Sequence, residues 1–164
     1  MRKAVFDSSA GGLFVAFSSL DEILAFAVAR EVEAAAFYGD LAGRARTESL
    51  RVFLQGFEEE ELRHKVLLEI YRAGAPVPPP GTPVPDLGMT ATAADECYDP
   101  AASVQDALIV AVRKESRAID LYGRLAAAAA DSESRKLFEF LTRQEMLHKF
   151  RLENEYEAHI LSEN

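Results

Sequence analysis

Apolar residues recur along four long stretches of the chain at alternating steps of three and four, the spacing of packed helices. In the second stretch the repeating positions are Leu50, Leu54, Phe57, Glu61, His64, Leu68 and Tyr71. In the fourth they are Ser134, Phe138, Leu141, Glu145, His148, Leu152 and Glu155. The first stretch carries Leu24, Ala27, Val28, Glu31, Ala34, Ala35, Tyr38 and Leu41 on one face. The third carries Leu108, Ala111, Val112, Glu115, Ala118, Tyr122 and Leu125. Each stripe is interrupted where the pattern demands an apolar side chain, by one Glu or by a Glu and a His.

The pattern predicts helices over about 19–43, 47–73, 103–130 and 132–161. Ser19 with Glu22 three residues on forms a capping box, Ser103 with Asp106 is a weaker relative, and Thr47 and Asp131 or Ser132 open the other two. Gly43 and Gly74 stand where helix C-terminal caps belong. Only a few residues join the first helix to the second and the third to the fourth, so each pair is expected to form an antiparallel hairpin.

The hairpins, about 19–73 and 103–161, are joined by a connection of about 74–102. Its first half, Pro76 to Pro85, cannot be helical. At ~3.3 Å per residue the connection can run the length of a helix ~40 Å long, so the third helix can lie parallel to the second. The expected fold is therefore all-α: a four-helix bundle of two antiparallel hairpins joined by a long crossover, one domain over 19–164 after an N-terminal arm, 1–18. The alternatives are a plain linker, or two hairpins that pair between chains.

Composition narrows the function classes. The chain has 164 residues, 49% hydrophobic and 27% charged, with a formal net charge of −9. That balance suits a globular protein and excludes nucleic acid as a partner, because the phosphate backbone needs a basic surface. No apolar run reaches the ~18–20 residues of a membrane helix. The start has Arg2 and Lys3 before Leu13 to Phe17, but Asp7, Ser8, Ser9, Gly11 and Gly12 break it. It makes a poor signal peptide and reads as a tail or short packing arm, with a cytoplasmic location. Cys97 is the single cysteine, so there is no disulfide framework and no C-x-x-C motif.

The interruptions in the apolar stripes repeat. Glu31, Glu61 and His64 recur 84 residues later as Glu115, Glu145 and His148. Glu and His three apart on a helix share one face and can reach the same ion. Isolated buried carboxylates are costly, and four at one level repel unless cations lie between them. Two divalent ions balance four carboxylates. Oxygen and imidazole donors favour iron or manganese over soft-metal sites. A single Glu-x-x-His is commonplace on exposed helices; two, each at the same distance from a lone Glu and all on apolar seams, are not. A buried salt-bridge network is the bland alternative, but Arg63, Lys65, Arg143 and Lys149 lie off the seams.

With these residues the chain resembles the rubrerythrin branch of the ferritin-like superfamily of di-iron carboxylate proteins. The resemblance runs from about Ser19 to Leu161. It rests on Glu31 through Tyr38 with Glu61-Leu62-Arg63-His64, and on Glu115 through Tyr122 with Glu145-Met146-Leu147-His148. It implies a non-haem centre of two iron ions, with manganese or zinc as alternatives. Glu61 and Glu145 would bridge, Glu31 and Glu115 would be terminal on opposite ions, and His64 and His148 would each cap one. It also implies that Tyr38 and Tyr122 lie near the site and can hydrogen-bond a ligand carboxylate; the alternative is that each is an amphipathic core residue.

Two departures bear on the chemistry. Relatives proper have a further Glu three residues after the third-helix ligand, tied to peroxide reduction, where this chain has Ala118. They also carry a four-cysteine rubredoxin module, for which Cys97 alone cannot substitute. Glu58, one turn before Glu61, is a candidate spare ligand, whereas its counterpart is Thr142. Glu59 and Glu60, like His159, read as solvated surface, and Cys97 as incidental.

The leading expectation is a non-haem di-iron oxidoreductase reducing peroxide or dioxygen with electrons from an external donor protein. The alternatives are a ferroxidase or iron-handling protein acting on Fe(II), and a redox-silent bundle held together by metal. The arm and the resemblance point to a homodimer.

Overall fold

The first helix starts where the Ser19 hydroxyl accepts a hydrogen bond from the Glu22 N–H at 3.1 Å. That bond satisfies one of the donors a helix start leaves open. From there the computed structural model, which describes residues 3–7, 12–17, 19–74, 90–91 and 103–163, forms two compact units, 1–92 and 93–164.

In the first unit α1 (Leu20–Arg44) and α2 (Glu48–Gly74) pack as a hairpin. Thr47 caps α2, its hydroxyl accepting from the Leu50 N–H at 3.2 Å. The contacts fix the antiparallel sense: Tyr38 meets Phe57 near the turn, Glu31 meets His64 further along, and Asp21 meets Arg72 at the open end. Leu24, Leu41, Leu54, Phe57 and Leu68 are fully enclosed. Each such side chain stabilises the unit by about 1.5–3 kcal/mol relative to exposure. Phe57 also stacks obliquely on Phe53, so truncating it to Ala opens a cavity at a cost of about 3–5 kcal/mol.

In the second unit α3 (Val104–Ala128) and α4 (Ser132–Glu163) form the matching hairpin. Ser103 caps α3, accepting from the Asp106 N–H at 3.1 Å. Asp131, rather than Ser132, opens α4. Its Oδ1 accepts from the N–H groups of Glu133 (3.0 Å) and Ser134 (2.8 Å), and its Oδ2 accepts from the Ser134 hydroxyl.

The glycine caps are not used as the sequence suggests. Gly43 lies inside α1 and Gly74 is the last residue of α2, and neither has a left-handed φ. The first helix instead leaves through Ala45 in an extended conformation (φ −62°, ψ 129°), its N–H reaching the Ala42 carbonyl at 3.3 Å. An extended exit needs no residue with positive φ.

The N-terminal arm differs from a simple tail. β1 (Lys3–Asp7) and β2 (Gly12–Ala16) pair antiparallel, with Lys3 opposite Ala16 and Asp7 opposite Gly12. The short β3 (Thr90–Ala91) pairs with β2, giving the order β1-β2-β3. Phe17, just after β2, packs against Phe26 of α1 with ring centroids 5.3 Å apart. Cys97, the proline-rich stretch 76–85 and the side chain of His159 lie outside the described residues. No helix among the described residues is long and apolar enough to cross a membrane.

Candidate metal centre

Each hairpin buries one triad. Glu31 comes from α1, and Glu61 and His64 from α2; they are 3%, 1% and 5% exposed. Glu115 comes from α3, and Glu145 and His148 from α4, at 2%, 1% and 2%. These six are buried because they hold seam positions: Leu54, Phe57 and Leu68 flank the first pair, and Phe138, Leu141 and Leu152 the second. The seam accounts for the observed core, although Tyr71 and Glu155 at its ends are only half-buried.

The triads have the same internal geometry. His64 Nδ1 lies 3.3 Å from Glu61 Oε2 and 3.6 Å from Glu31 Oε2. His148 Nδ1 lies 3.3 Å from Glu145 Oε2 and 3.6 Å from Glu115 Oε2. Within each triad all three residues offer a donor atom within 4.8 Å of the others. A direct N–H···O bond is ordinarily ~2.7–3.2 Å. Donors placed ~2.0–2.1 Å from one ion are separated by about 3.0–3.4 Å, which is closer to what is seen. Two carboxylates and an imidazole also make a donor set suited to iron, manganese or zinc.

The neighbouring bases are occupied elsewhere. Arg63 is 63% exposed and lies 3.8 Å from both Glu59 and Glu60. Lys65 pairs with Glu69 at 3.3 Å and Lys149 with Glu153 at 3.8 Å, while Arg143 is exposed.

Tyr38 and Tyr122 are fully buried two turns beyond the lone Glu of their helices. Tyr38 leans on Phe57 (5.0 Å, 37°) and Tyr122 lies parallel to Phe138 (6.5 Å, 13°). The aromatic partner has exchanged seam positions: Leu54 and Phe57 in the first copy stand where Phe138 and Leu141 stand in the second.

Glu58 is half-buried and lies outside the first triad, with its carboxylate against Gly39. Gly39 is invisible to the apolar pattern, because a glycine marks no face. The signal for it is repetition, since Gly123 stands at the equivalent place 84 residues on. Thr142, the counterpart of Glu58, turns its hydroxyl back to the Phe138 carbonyl at 2.7 Å.

The Rubrerythrin family model matches residues 22–156, most of both hairpins and all six residues of the triads. The chain belongs to the rubrerythrin family. Among solved structures, this rubrerythrin-family chain is similar to a hypothetical protein from Pyrococcus furiosus, with 26% identity and a TM-score of 0.65 over 85% of this chain and 89% of that one. It is also similar to an uncharacterised conserved protein from Magnetospirillum magnetotacticum MS-1, with 25% identity and a TM-score of 0.62 over 85% and 95% of the two chains. A conserved hypothetical protein from Mycobacterium tuberculosis shares the fold at 16% identity and a TM-score of 0.59, over 85% and 98%. No curated protein matches the chain. The fold class is thus the expected one, a ferritin-like four-helix bundle of two hairpins, with buried carboxylate and imidazole groups able to bind metal.

Proposed function

We propose that the two triads together hold two iron ions and that the protein is an oxidoreductase reducing peroxide or dioxygen. The observation carrying this reading is the identical 3.3 and 3.6 Å spacing of two buried triads, each made of two carboxylates and one imidazole. A di-iron centre, when bound, supplies two electrons to an oxygen–oxygen bond.

The protein's own part is electrostatic and steric. Glu31, Glu61, Glu115 and Glu145 neutralise the ions, and His64 and His148 supply neutral donors. Ala34, Ala35 and Ala118 leave room beside the lone Glu residues, and Leu54, Leu68, Leu141 and Leu152 keep out bulk water. Tyr38 and Tyr122 orient ligand carboxylates through their hydroxyls. The sequence has one cysteine, so the electrons come from a donor outside it.

The test is metal analysis of protein purified without added metal, followed by peroxide titration of the reduced form. About two iron ions per chain, oxidised stoichiometrically by peroxide or dioxygen, is the expected result. Full metal occupancy with no oxidation by either would reject the enzyme and leave a metal-stabilised bundle.

Ala118 favours a second reading, a ferroxidase that oxidises Fe(II), because the carboxylate that relatives use in peroxide reduction is missing from this position. Rapid Fe(II) oxidation by dioxygen with slow peroxide turnover distinguishes the two.

A further inference from the structure

The first hairpin holds a carboxylate that its triad does not use. Glu58 is half-buried on α2, one turn before Glu61. Its Oε1, Cδ and Oε2 lie 2.9, 3.0 and 3.2 Å from the place a Cβ on Gly39 would take, so the whole carboxylate lies against the backbone of α1. Among the described residues no base pairs with it: Arg63 reaches Glu59 and Glu60, Lys65 reaches Glu69, and Arg44 reaches Asp40. A partly dehydrated carboxylate without a cation is unfavourable, and so is the glycine inside α1 that makes its seat. The second hairpin lacks this arrangement. Gly123 has nothing within 4 Å of the corresponding position, and Thr142, in place of Glu58, is neutral and turns its hydroxyl to the Phe138 carbonyl.

The position suits a hand-over. Three residues advance a helix by about 4.5 Å and return to nearly the same face, so the carboxylates of Glu58 and Glu61 can hold one ion between them. Burial deepens in the same direction: Gly39 and Glu58 are partly exposed, whereas Glu61 and His64 are enclosed. Along the seam itself the triad is closed by Leu54 and Phe57 toward the turn and by Leu68 toward the open end. Those apolar side chains would strip an ion of its water and offer nothing in return. Glu58 offers an anionic oxygen in exchange.

We propose that Glu58, seated on Gly39, is the entry carboxylate of the first triad. It takes a divalent cation from solvent, passes it to Glu61 and is not a ligand of the loaded site. The ion stays divalent throughout, so no electron moves. This inference rests on the metal-holding part of the function proposed above and not on its redox part. A group on the path but outside the final ligand set speeds entry and exit alike and leaves the affinity unchanged.

The test is stopped-flow uptake of Co(II) by the metal-free full chain, followed by release to excess chelator, with helicity as the folding control. Co(II) binds oxygen and imidazole donors and is followed by its own absorption. Wild type should bind about two Co(II) per chain in a fast and a slow phase, because one triad has an entry carboxylate and the other has none. Glu58→Gln should slow the fast phase of uptake and the matching phase of release by about ten-fold or more, at unchanged affinity. Gly39→Ala, which displaces the carboxylate and keeps its charge, should slow both as well. Glu59→Gln, which removes an exposed carboxylate next door, should load at the wild-type rate. Single-phase uptake by wild type, a wild-type rate in Glu58→Gln or Gly39→Ala, or equal slowing by Glu59→Gln would each overturn the proposal. Weaker binding by Glu58→Gln would overturn it too, by making Glu58 a ligand of the loaded site. A wild type that binds no Co(II) would reject the metal centre itself, and the entry carboxylate with it.

Discussion

A methyl group on Gly39 would sit 2.9 Å from Oε1 of Glu58, so the glycine is what lets that carboxylate lie flat against α1. The equivalent Gly123 has nothing within 4 Å of the same position. Both lie inside helices at ordinary φ, where Ala is preferred to Gly by roughly 0.5–1 kcal/mol. Gly123→Ala should therefore raise stability by about that amount. Gly39→Ala should gain less or nothing, because Glu58 must swing out toward solvent. Denaturant midpoints of the two variants check the asymmetry, and equal gains would show that Glu58 does not depend on Gly39.

Asp131 ties the start of α4 to pH. The Ser134 hydroxyl, then the Ser134 and Glu133 N–H groups, hydrogen-bond its carboxylate and hold it below its ordinary pKa of 3.8. The folded value lies below the unfolded one. The cap is therefore at full strength above that ordinary value and fades as pH falls through the folded value. Asp131→Ala should cost about 1 kcal/mol at neutral pH. The difference from wild type should shrink in strong acid, as read from urea unfolding at several pH values.

These devices differ in how legible they are before the structure is known. The seam through Leu50, Leu54, Phe57 and Leu68 is plain because burial imposes a period on the residues themselves. The triads are plain because each breaks that period, and the starts at Ser19, Thr47 and Ser103 are plain because a hydroxyl cap acts within three residues. Gly43 misleads because glycine is needed only where φ turns positive, and the chain leaves α1 through an extended Ala45 instead. The hairpin of Lys3–Asp7 with Gly12–Ala16 is hidden because strand pairing belongs to two segments jointly. Gly12 looks like an interruption of an apolar run when it is the first residue of β2.

The triads should reveal themselves in the metal-free protein. Glu61 shares its buried site with Glu31, and two carboxylates enclosed without an ion oppose folding. Glu61→Gln should therefore raise the stability of metal-free protein, by about 1–2 kcal/mol. In the presence of Fe(II) the order should reverse. Metal affinity should fall by at least roughly ten- to a hundred-fold, since even loss of a group that only orients a ligand costs that much. Thermal melts with and without chelator test both signs, and Glu145→Gln should behave alike.

Ala118 offers the cleanest handle on what the centre does. It lies one turn after Glu115 on α3 and is only partly buried, so a longer side chain has room to extend. Ala118→Glu places a fifth carboxylate where relatives carry one. If the protein acts chiefly on Fe(II) and dioxygen, this substitution should leave that oxidation within about two-fold while raising peroxide-driven oxidation of the reduced centre several-fold, a change of about 1 kcal/mol in the barrier. If the native protein is already an efficient peroxide reductase, another carboxylate adds little and the peroxide rate should stay put. Stopped-flow oxidation of the reduced protein by each oxidant, wild type beside Ala118→Glu, separates these outcomes, provided both variants hold equal iron.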